Sequence, residues 1–169
     1  MKHNLHQQVG IELSKLNSEN VRVILDRACL NESSDIEIHN IPLFLDNKSS
    51  ETELCNVDVL IIKEGKVCVI IEIDESKTNP TQICGKYLTS AISNLYQYSN
   101  DAIEISIGTV LFVQFIDSTK FPNKSRKPNK LNVIQKKINK NSQGIVKNYY
   151  LFTDKEIDKA LVKIRDYLN

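Results

Sequence analysis

The feature that most constrains the fold is a pair of apolar segments, 57–62 and 67–73, separated by only four residues. Both segments are rich in β-branched residues and almost continuously apolar, which is typical of strands covered on both faces. The sequence Lys63-Glu64-Gly65-Lys66 between them favours a tight hairpin turn. The two segments therefore predict a buried hairpin in a sheet that other elements cover on both sides.

The remaining segments extend this hairpin into a layered protein. Before the hairpin, apolar spacing predicts a helix at 5–16 and a strand at 36–45 that is interrupted at Pro42. After the hairpin, it predicts a helix capped by Asn79 whose apolar stripe reaches Leu95, and then a strand at 105–115. A helix at 131–140, a strand at 147–152 and a final helix that follows a capping box from Thr153 to Glu156 complete the order. Segment 21–25 is apolar but is left unassigned. This order predicts a mixed α/β fold, with a sheet that has helices on both faces.

Length and composition restrict the class of protein. A chain of 169 residues suits one domain, 1–169, and its longest apolar runs are too short to cross a bilayer. The first ten residues contain no apolar segment of the kind found in signal peptides, so we expect a cytoplasmic protein without a membrane partner. The four cysteines form no CxxC pair and the three histidines complete no zinc pattern, which favours reduced cysteines in the protein core.

Three carboxylates occur in or beside the apolar hairpin: Asp58, Glu72 and Asp74. Glu72 and Asp74 are two residues apart, so both side chains point to one face of the strand. A three-residue turn would place Asp58 opposite Glu72 and bring all three together. A two-residue turn would instead place Asp58 opposite Ile71 and divide the carboxylates between the two faces, unless a bulge restored the register.

Charged groups in a buried sheet are costly unless they are paired or bind a metal ion. Carboxylates that converge on one point are most readily kept ionised by a divalent cation, and an all-oxygen set favours Mg²⁺, which Mn²⁺ can replace. Glu12 lies in the apolar stripe of the first helix and is a candidate fourth ligand. The alternative is that the acids mark strand ends at the solvent; it fits Asp74 better than Asp58 and Glu72, which have apolar neighbours on both sides.

The charge distribution points to a polyanionic partner. The net charge is only +1, from 22 basic and 21 acidic residues, but segment 120–140 contains no acid. It contains Lys120, Lys124, Arg126, Lys127, Lys130, Lys136, Lys137 and Lys140. The rest of the chain therefore has 14 basic residues against 21 acids. This basic segment predicts a nucleic-acid-binding surface, and a solvated lysine-rich loop is the alternative.

Asp58 in NVDVLII, a short turn and Glu72-Ile73-Asp74 in VIIEID together resemble the motif of the PD-(D/E)XK nuclease superfamily. This group includes type II restriction enzymes and DNA repair nucleases, and its common core runs helix, three strands, helix, strand. The resemblance covers roughly residues 5–115 and implies a restriction-endonuclease-like fold. It also implies that Asp58 and Glu72 bind the metal ion and that Glu12 matches an acid often found on the first helix.

The chain departs from the motif at Asp74, where members of the superfamily usually carry a lysine. If the site is active, another group has to activate or orient the attacking water. Lys77, just after the strand, and Lys86, on the next helix, are the two candidate substitutes, and a second metal ion is a third route.

These observations favour a Mg²⁺-dependent DNA endonuclease, of the type II restriction class or of a repair or structure-specific class. Cleavage of both strands requires two sites, so we expect a homodimer. One alternative is a nucleic-acid-binding module with a nuclease fold that Asp74 has made inactive. Another is an assembly protein with an incidental acidic cluster, which would bind neither Mg²⁺ nor DNA.

Overall fold

The computed structural model describes residues 4–30, 36–76, 79–120 and 127–169. These ranges form an α/β protein with four helices, a six-stranded mixed sheet and a four-stranded antiparallel sheet. The helices are α1 (Asn4–Ser14), α2 (Pro80–Ile92), α3 (Lys127–Lys140) and α4 (Ile157–Leu168). The strands are β1 (Val21–Leu25), β2 (Glu37–Ile38), β3 (Ile41–Phe44), β4 (Glu53–Val57), β5 (Val59–Lys63), β6 (Lys66–Asp74), β7 (Leu95–Tyr98), β8 (Asp101–Glu104), β9 (Val110–Ile116) and β10 (Val146–Thr153). None of the helices in these ranges is long and apolar enough to cross a membrane.

The larger sheet has the strand order β10-β9-β6-β5-β1-β2. Strands β6, β9 and β10 run parallel, whereas β5 is antiparallel to β6. The carboxyl ends of β6, β9 and β10 therefore lie at the same end of the strands as the start of β5. At this end of the sheet, Asp74, the last residue of β6, lies near Asp58, the residue that precedes β5.

The two faces of the larger sheet are covered by different elements. Helices α1 and α4 pack on one face, where Leu5, Val9 and Ile164 join the core. Helices α2 and α3 and the smaller sheet, of order β4-β3-β7-β8, pack on the other face, as the positions of Ile83, Leu131 and Tyr96 in its core indicate. The prediction of helices on both faces is confirmed; the second sheet was not predicted.

The hairpin between β5 and β6 combines the two registers that the sequence left open. Its loop is the two residues Glu64 and Gly65, both with positive φ, and Lys63 pairs with Lys66. A bulge at Cys68 then inserts one residue in β6, so that Ile61 pairs with Val69. Beyond the bulge the strands follow the register expected for a three-residue loop. The bulge therefore keeps Glu72 and Asp74 on the face of the sheet that α2 covers.

Two predicted strands are divided differently in the structure. The segment predicted at 57–62 is divided at Asp58, where the chain leaves β4 in the smaller sheet and enters β5 in the larger one. The segment at 36–45 is interrupted between β2 and β3, before Pro42 rather than at it. Strand β7 pairs only with Leu43 and Phe44 of β3, so Pro42 has no neighbouring strand on that side. Pro42 is tolerated there because no strand on that side requires the N–H group that proline lacks.

The region after α2 also differs from prediction. Helix α2 ends at Ile92, and Leu95, assigned by its spacing to the helical stripe, instead begins β7. The strand predicted at 105–115 begins only at Val110, since a turn containing Gly108, with φ of 66°, precedes it. The start of α2 was predicted correctly: Asn79 and Gln82 form a reciprocal capping box, and Pro80 is the first helical residue.

Candidate active site

Glu72 is the most buried of the three predicted carboxylates, with only 3% of its surface exposed. Lys86 on α2 reaches across to it, and its Nζ lies 2.8 Å from Glu72 Oε2. Burial raises the pKa of Glu72 to about 7; the positive charge of Lys86 opposes this rise, and the neighbouring carboxylate of Asp58 adds to it. The site therefore holds a carboxyl group whose ionisation is costly and whose cationic partner among the described residues, Lys86, comes from a different element.

Helix α2 is fixed so that Lys86 points towards the sheet. Ile83 and Ala91 are buried in the core on that side, and the ring of Tyr87 packs edge-on against Phe112 and Tyr149. Burial opposes the charge of Lys86, but the carboxylates of Glu72, Asp58 and Asp74 outweigh it and raise the pKa of the ammonium group. Lys86 is therefore a firmly charged lysine held at the acidic end of β6.

Asp58 is held at the junction of the two sheets by contacts to both of its oxygen atoms. Oδ2 accepts a hydrogen bond of 2.6 Å from the backbone N–H of Ile73. Oδ1 lies 3.5 Å from Nε2 of His6, and the Asp58 carboxylate is close enough to raise the pKa of Glu72. Asp58 and Glu72 thus both lie close to Lys86 at the end of β6.

The amino-terminal turn of α1 reaches the site through Glu75. This carboxylate accepts hydrogen bonds from the backbone N–H groups of Leu5 and His6, and Nδ1 of His6 lies 3.4 Å from Glu75 Oε1. Burial lowers the pKa of His6, but Asp58 and Glu75 more than compensate and raise it overall. His6 thus links two carboxylates at the end of the sheet, a role that the sequence analysis did not assign to it.

Two further polar groups beside Glu72 are buried. Asp74 is 6% exposed; its Oδ1 accepts a hydrogen bond from Ser76, while its Oδ2 has no hydrogen-bond partner among the described residues. Gln114 on β9 is fully buried, and its Nε2 has no partner among them either. A buried group without a partner is costly to the fold, so these two atoms mark places suited to a bound ligand or water.

No family model, curated protein or solved structure matches this chain. Any function assigned to it therefore has to rest on the chemistry of its own residues. Among the described residues this chemistry is a buried and a partly buried carboxylate, a charged lysine and two unsatisfied polar atoms at one end of a sheet.

The described ranges contain no group of three His, Cys, Asp or Glu side chains placed to hold a metal ion. Mg²⁺, however, is usually held by one or two carboxylates and keeps several water molecules, which substrate phosphates can replace. Asp58 and Glu72 provide such a pair, and the unpaired Oδ2 of Asp74 provides a further oxygen atom at the same strand end. Asp58 and Glu72 are therefore the two residues that would hold such an ion, with water in its remaining positions.

Two predicted site residues are not placed in this cluster. Glu12 does not lie on the buried stripe of α1; it is half-exposed and forms an ion pair with Lys15 one turn along the helix. Because α1 approaches the site with its first turn only, it is His6 rather than Glu12 that contacts Asp58. Lys77 lies outside the described residues, so Lys86 is the candidate substitute lysine whose position is known.

The predicted basic segment is divided between a short 3-10 turn and a helix. Lys120 ends the turn Ser118–Lys120, and Lys127 begins α3, whereas Lys124 and Arg126 lie outside the described residues. The exposed lysines of α3 are Lys130, Lys136, Lys137 and Lys140. The helix packs through Leu131, Ile134 and Ile138 onto the same face of the sheet as α2. The exposed lysines of α3 and the Glu72–Lys86 pair therefore belong to the same side of the molecule.

Sequence reasoning missed Gln114, although a signal for it was present. Strand β9 reads Val-Leu-Phe-Val-Gln-Phe-Ile and every one of these residues is buried, so the glutamine is its only polar member. A single polar residue inside a fully apolar strand requires a partner or a function. His6 and Glu75 carried no comparable signal, because their proximity depends on how α1 docks against the end of β6.

Proposed function

We propose that this protein is a Mg²⁺-dependent DNA endonuclease with a restriction-endonuclease-like core. The observation that carries the proposal is the contact of Lys86 with Glu72 beside Asp58. The motif of the superfamily that this sequence resembles usually contains two acids and one lysine, and Lys86 on α2 is positioned to replace the lysine that is absent from position 74. Mn²⁺ is expected to replace Mg²⁺ because both are hard, oxygen-preferring ions.

In this proposal Asp58 and Glu72 hold the ion, which would stabilise charge on the phosphate and lower the pKa of an attacking water when bound. Lys86 contributes a fixed positive charge next to these carboxylates, where it can orient that water or a phosphate oxygen. Its charge is secure, because the surrounding carboxylates raise its pKa. Asp74 faces the same side and supplies the additional oxygen atom of the site.

DNA would lie along the face that carries α2 and α3. Lysine contacts to phosphates position a duplex without reading its sequence, and the four exposed lysines of α3 suit this role. Two such sites are needed to cut both strands, so a homodimer in the cytoplasm is the assembly that this proposal implies. A restriction enzyme and a repair or structure-specific nuclease share this chemistry and differ in the DNA that they accept.

The test is cleavage of supercoiled plasmid by the wild type in Mg²⁺, Mn²⁺ or EDTA, beside Lys86→Met and Asp58→Asn. We expect nicking or linearisation by the wild type with either metal, none in EDTA, and a loss of at least about 100-fold in both variants. Lys155→Met, on an exposed lysine outside the basic segment, serves as the matched control and should cleave like the wild type.

A second candidate function is an inactive DNA-binding module, favoured by the presence of Asp74 where the superfamily carries lysine. It predicts salt-sensitive DNA binding without cleavage in either metal. Metal-dependent cleavage that survives Lys86→Met would instead remove Lys86 from the mechanism. A protein that neither cleaves nor binds DNA would contradict both functions.

A further inference from the structure

Gln114 lies next to Glu72 in the sheet. In the parallel pairing of β6 with β9, Glu72 and Gln114 are register partners. Phe112 and Ile116, two residues on either side of Gln114, both belong to the core on the α2 face. Because side chains alternate along a strand, Gln114 points to that same face as Glu72, on a strand about 4.8 Å away.

The amide group of Gln114 has a defined orientation. The hydroxyl group of Tyr149 donates a hydrogen bond of 2.9 Å to Gln114 Oε1. Tyr149 is itself immobilised, since it is fully buried and its ring packs against Phe112 and Tyr87. Oε1 is therefore occupied, and Nε2 is left as a fully buried donor without a partner among the described residues.

The environment of Glu72 explains what such a donor can do. Glu72 is buried, and its Oε2 lies 2.8 Å from Nζ of Lys86. A divalent ion can bind only if Glu72 is ionised, and a buried carboxylate then requires hydrogen-bond donors. An amide N–H suits this role because, unlike a second lysine, it brings no positive charge to repel the ion.

We propose that Gln114 is a positioning residue for the metal site: its Nε2 donates to the ionised carboxylate of Glu72, and Tyr149 fixes the amide in the orientation that makes this possible. The inference rests on the proposed function. Outer-shell hydrogen bonds to metal-binding carboxylates commonly change metal affinity by about 10- to 100-fold. Loss of Gln114 should therefore lower the affinity for the metal ion, and not only the thermal stability of the protein.

The test measures Mn²⁺ binding by electron paramagnetic resonance without DNA, together with thermal stability and the Mg²⁺ concentration that gives half-maximal cleavage. We expect Gln114→Met to weaken Mn²⁺ binding by about 10-fold or more and to raise the Mg²⁺ requirement in proportion. Tyr149→Phe should have a smaller effect in the same direction. The double variant Gln114→Met/Tyr149→Phe leaves neither group unsatisfied, so it should fold well and still bind Mn²⁺ weakly.

Gln135→Met is the matched control. Gln135 on α3 also accepts a hydrogen bond, from the backbone of Leu151, but it is not a register partner of Glu72. This variant should lower thermal stability without changing Mn²⁺ affinity. Wild-type Mn²⁺ affinity in a folded Gln114→Met/Tyr149→Phe protein would overturn the role of Gln114 and leave the nuclease proposal intact. Mn²⁺ binding without cleavage would overturn only the nuclease proposal, and absence of Mn²⁺ binding by the wild type would overturn both.

Discussion

Replacing Glu72 by glutamine should make the protein more stable in EDTA at pH 8 and, under the proposed function, should abolish cleavage. Burial raises the pKa of Glu72 from an ordinary 4.5 to about 7, in spite of Lys86 and with a contribution from Asp58. A raised carboxyl pKa means that the folded protein holds this proton more tightly than the unfolded chain. Ionisation of Glu72 therefore begins to destabilise the fold above about pH 4.5, and the loss is complete above about pH 7.

The size of this loss follows from the two pKa values. The interval from 4.5 to about 7, at ~1.4 kcal/mol per pH unit, sets an upper limit of about 3 kcal/mol at pH 8. Glutamine keeps the shape of the side chain and cannot ionise, so it avoids this loss. Lys86 loses its partner in the variant, but its side chain is 35% exposed and can turn to water. We therefore expect a net gain of about 1 to 2 kcal/mol.

Urea unfolding in EDTA at pH 5 and pH 8 measures the effect. Glu72→Gln should exceed the wild type in unfolding free energy at pH 8, and the difference should shrink or disappear at pH 5. Glu12→Gln, which removes a half-exposed carboxylate paired with Lys15, should change stability by less than about 0.5 kcal/mol at either pH. A Glu72→Gln protein that is less stable at pH 8, or that shows the same difference at both pH values, would refute the reasoning.

Two further predictions concern the scaffold and the basic helix. Gly144→Ala should lower the free energy of unfolding by about 2 kcal/mol or more, since φ is 67° and an added Cβ would lie 1.8 Å from the carbonyl oxygen of Ala91. Gly85→Ala should instead raise it by about 1 kcal/mol, because Gly85 lies in the interior of α2 and an added Cβ would meet nothing within 4 Å. Urea unfolding compares the two variants. Replacing the exposed lysines of α3 by glutamine should weaken DNA binding and reduce its salt dependence by about 0.9 in log–log slope per lost phosphate contact, which fluorescence anisotropy at several salt concentrations measures; an unchanged slope would exclude α3 from the interface. The lysines replaced are Lys130, Lys136, Lys137 and Lys140.

The layered architecture could be predicted because buried strands and helices have characteristic patterns of apolar residues in the sequence. Strands β6 and β9 are covered on both faces, and their continuous apolar runs reflect this. The start of α2 could also be predicted, since the capping box of Asn79 and Gln82 lies within four consecutive residues. Local signals of this kind require no knowledge of the rest of the fold.

The smaller sheet could not be predicted, because its strands are short and depend on distant partners. Strands β7 and β8 have four residues each, and β7 follows α2 so closely that Leu95 continued the helical spacing. The division of an apolar run at Asp58 was hidden for a related reason. Apolar periodicity shows that residues are buried, but it does not show in which of two sheets they pair.

The register of the hairpin shows the same limit at the scale of one residue. The turn sequence alone could not decide between a two-residue and a three-residue loop, and the structure contains the former with a compensating bulge at Cys68. Without that bulge, Glu72 and Asp74 would exchange faces with Ile71 and Ile73 and would lie on the face that α1 covers. The position of the candidate site thus depends on one inserted residue whose effect is visible only in the pairing.

The buried polar residues at the end of β6 are unusual for a sheet interior whether or not they belong to a motif. Glu72, Asp74 and Gln114 are buried on adjacent strands at positions where apolar residues would give a more stable sheet. Ser93 and His39, two other buried polar residues, have hydrogen-bond partners, whereas the hydroxyl group of Tyr96 in the smaller sheet has none among the described residues. At the end of β6, by contrast, a carboxylate oxygen and an amide N–H are unsatisfied within one strand spacing of a carboxyl group with a raised pKa. Under the proposed function, a bound cation would account for the acids, and the ionised Glu72 that it requires would account for the amide. The predicted loss of stability above pH 4.5 would then belong to a site that is complete only with its ligand.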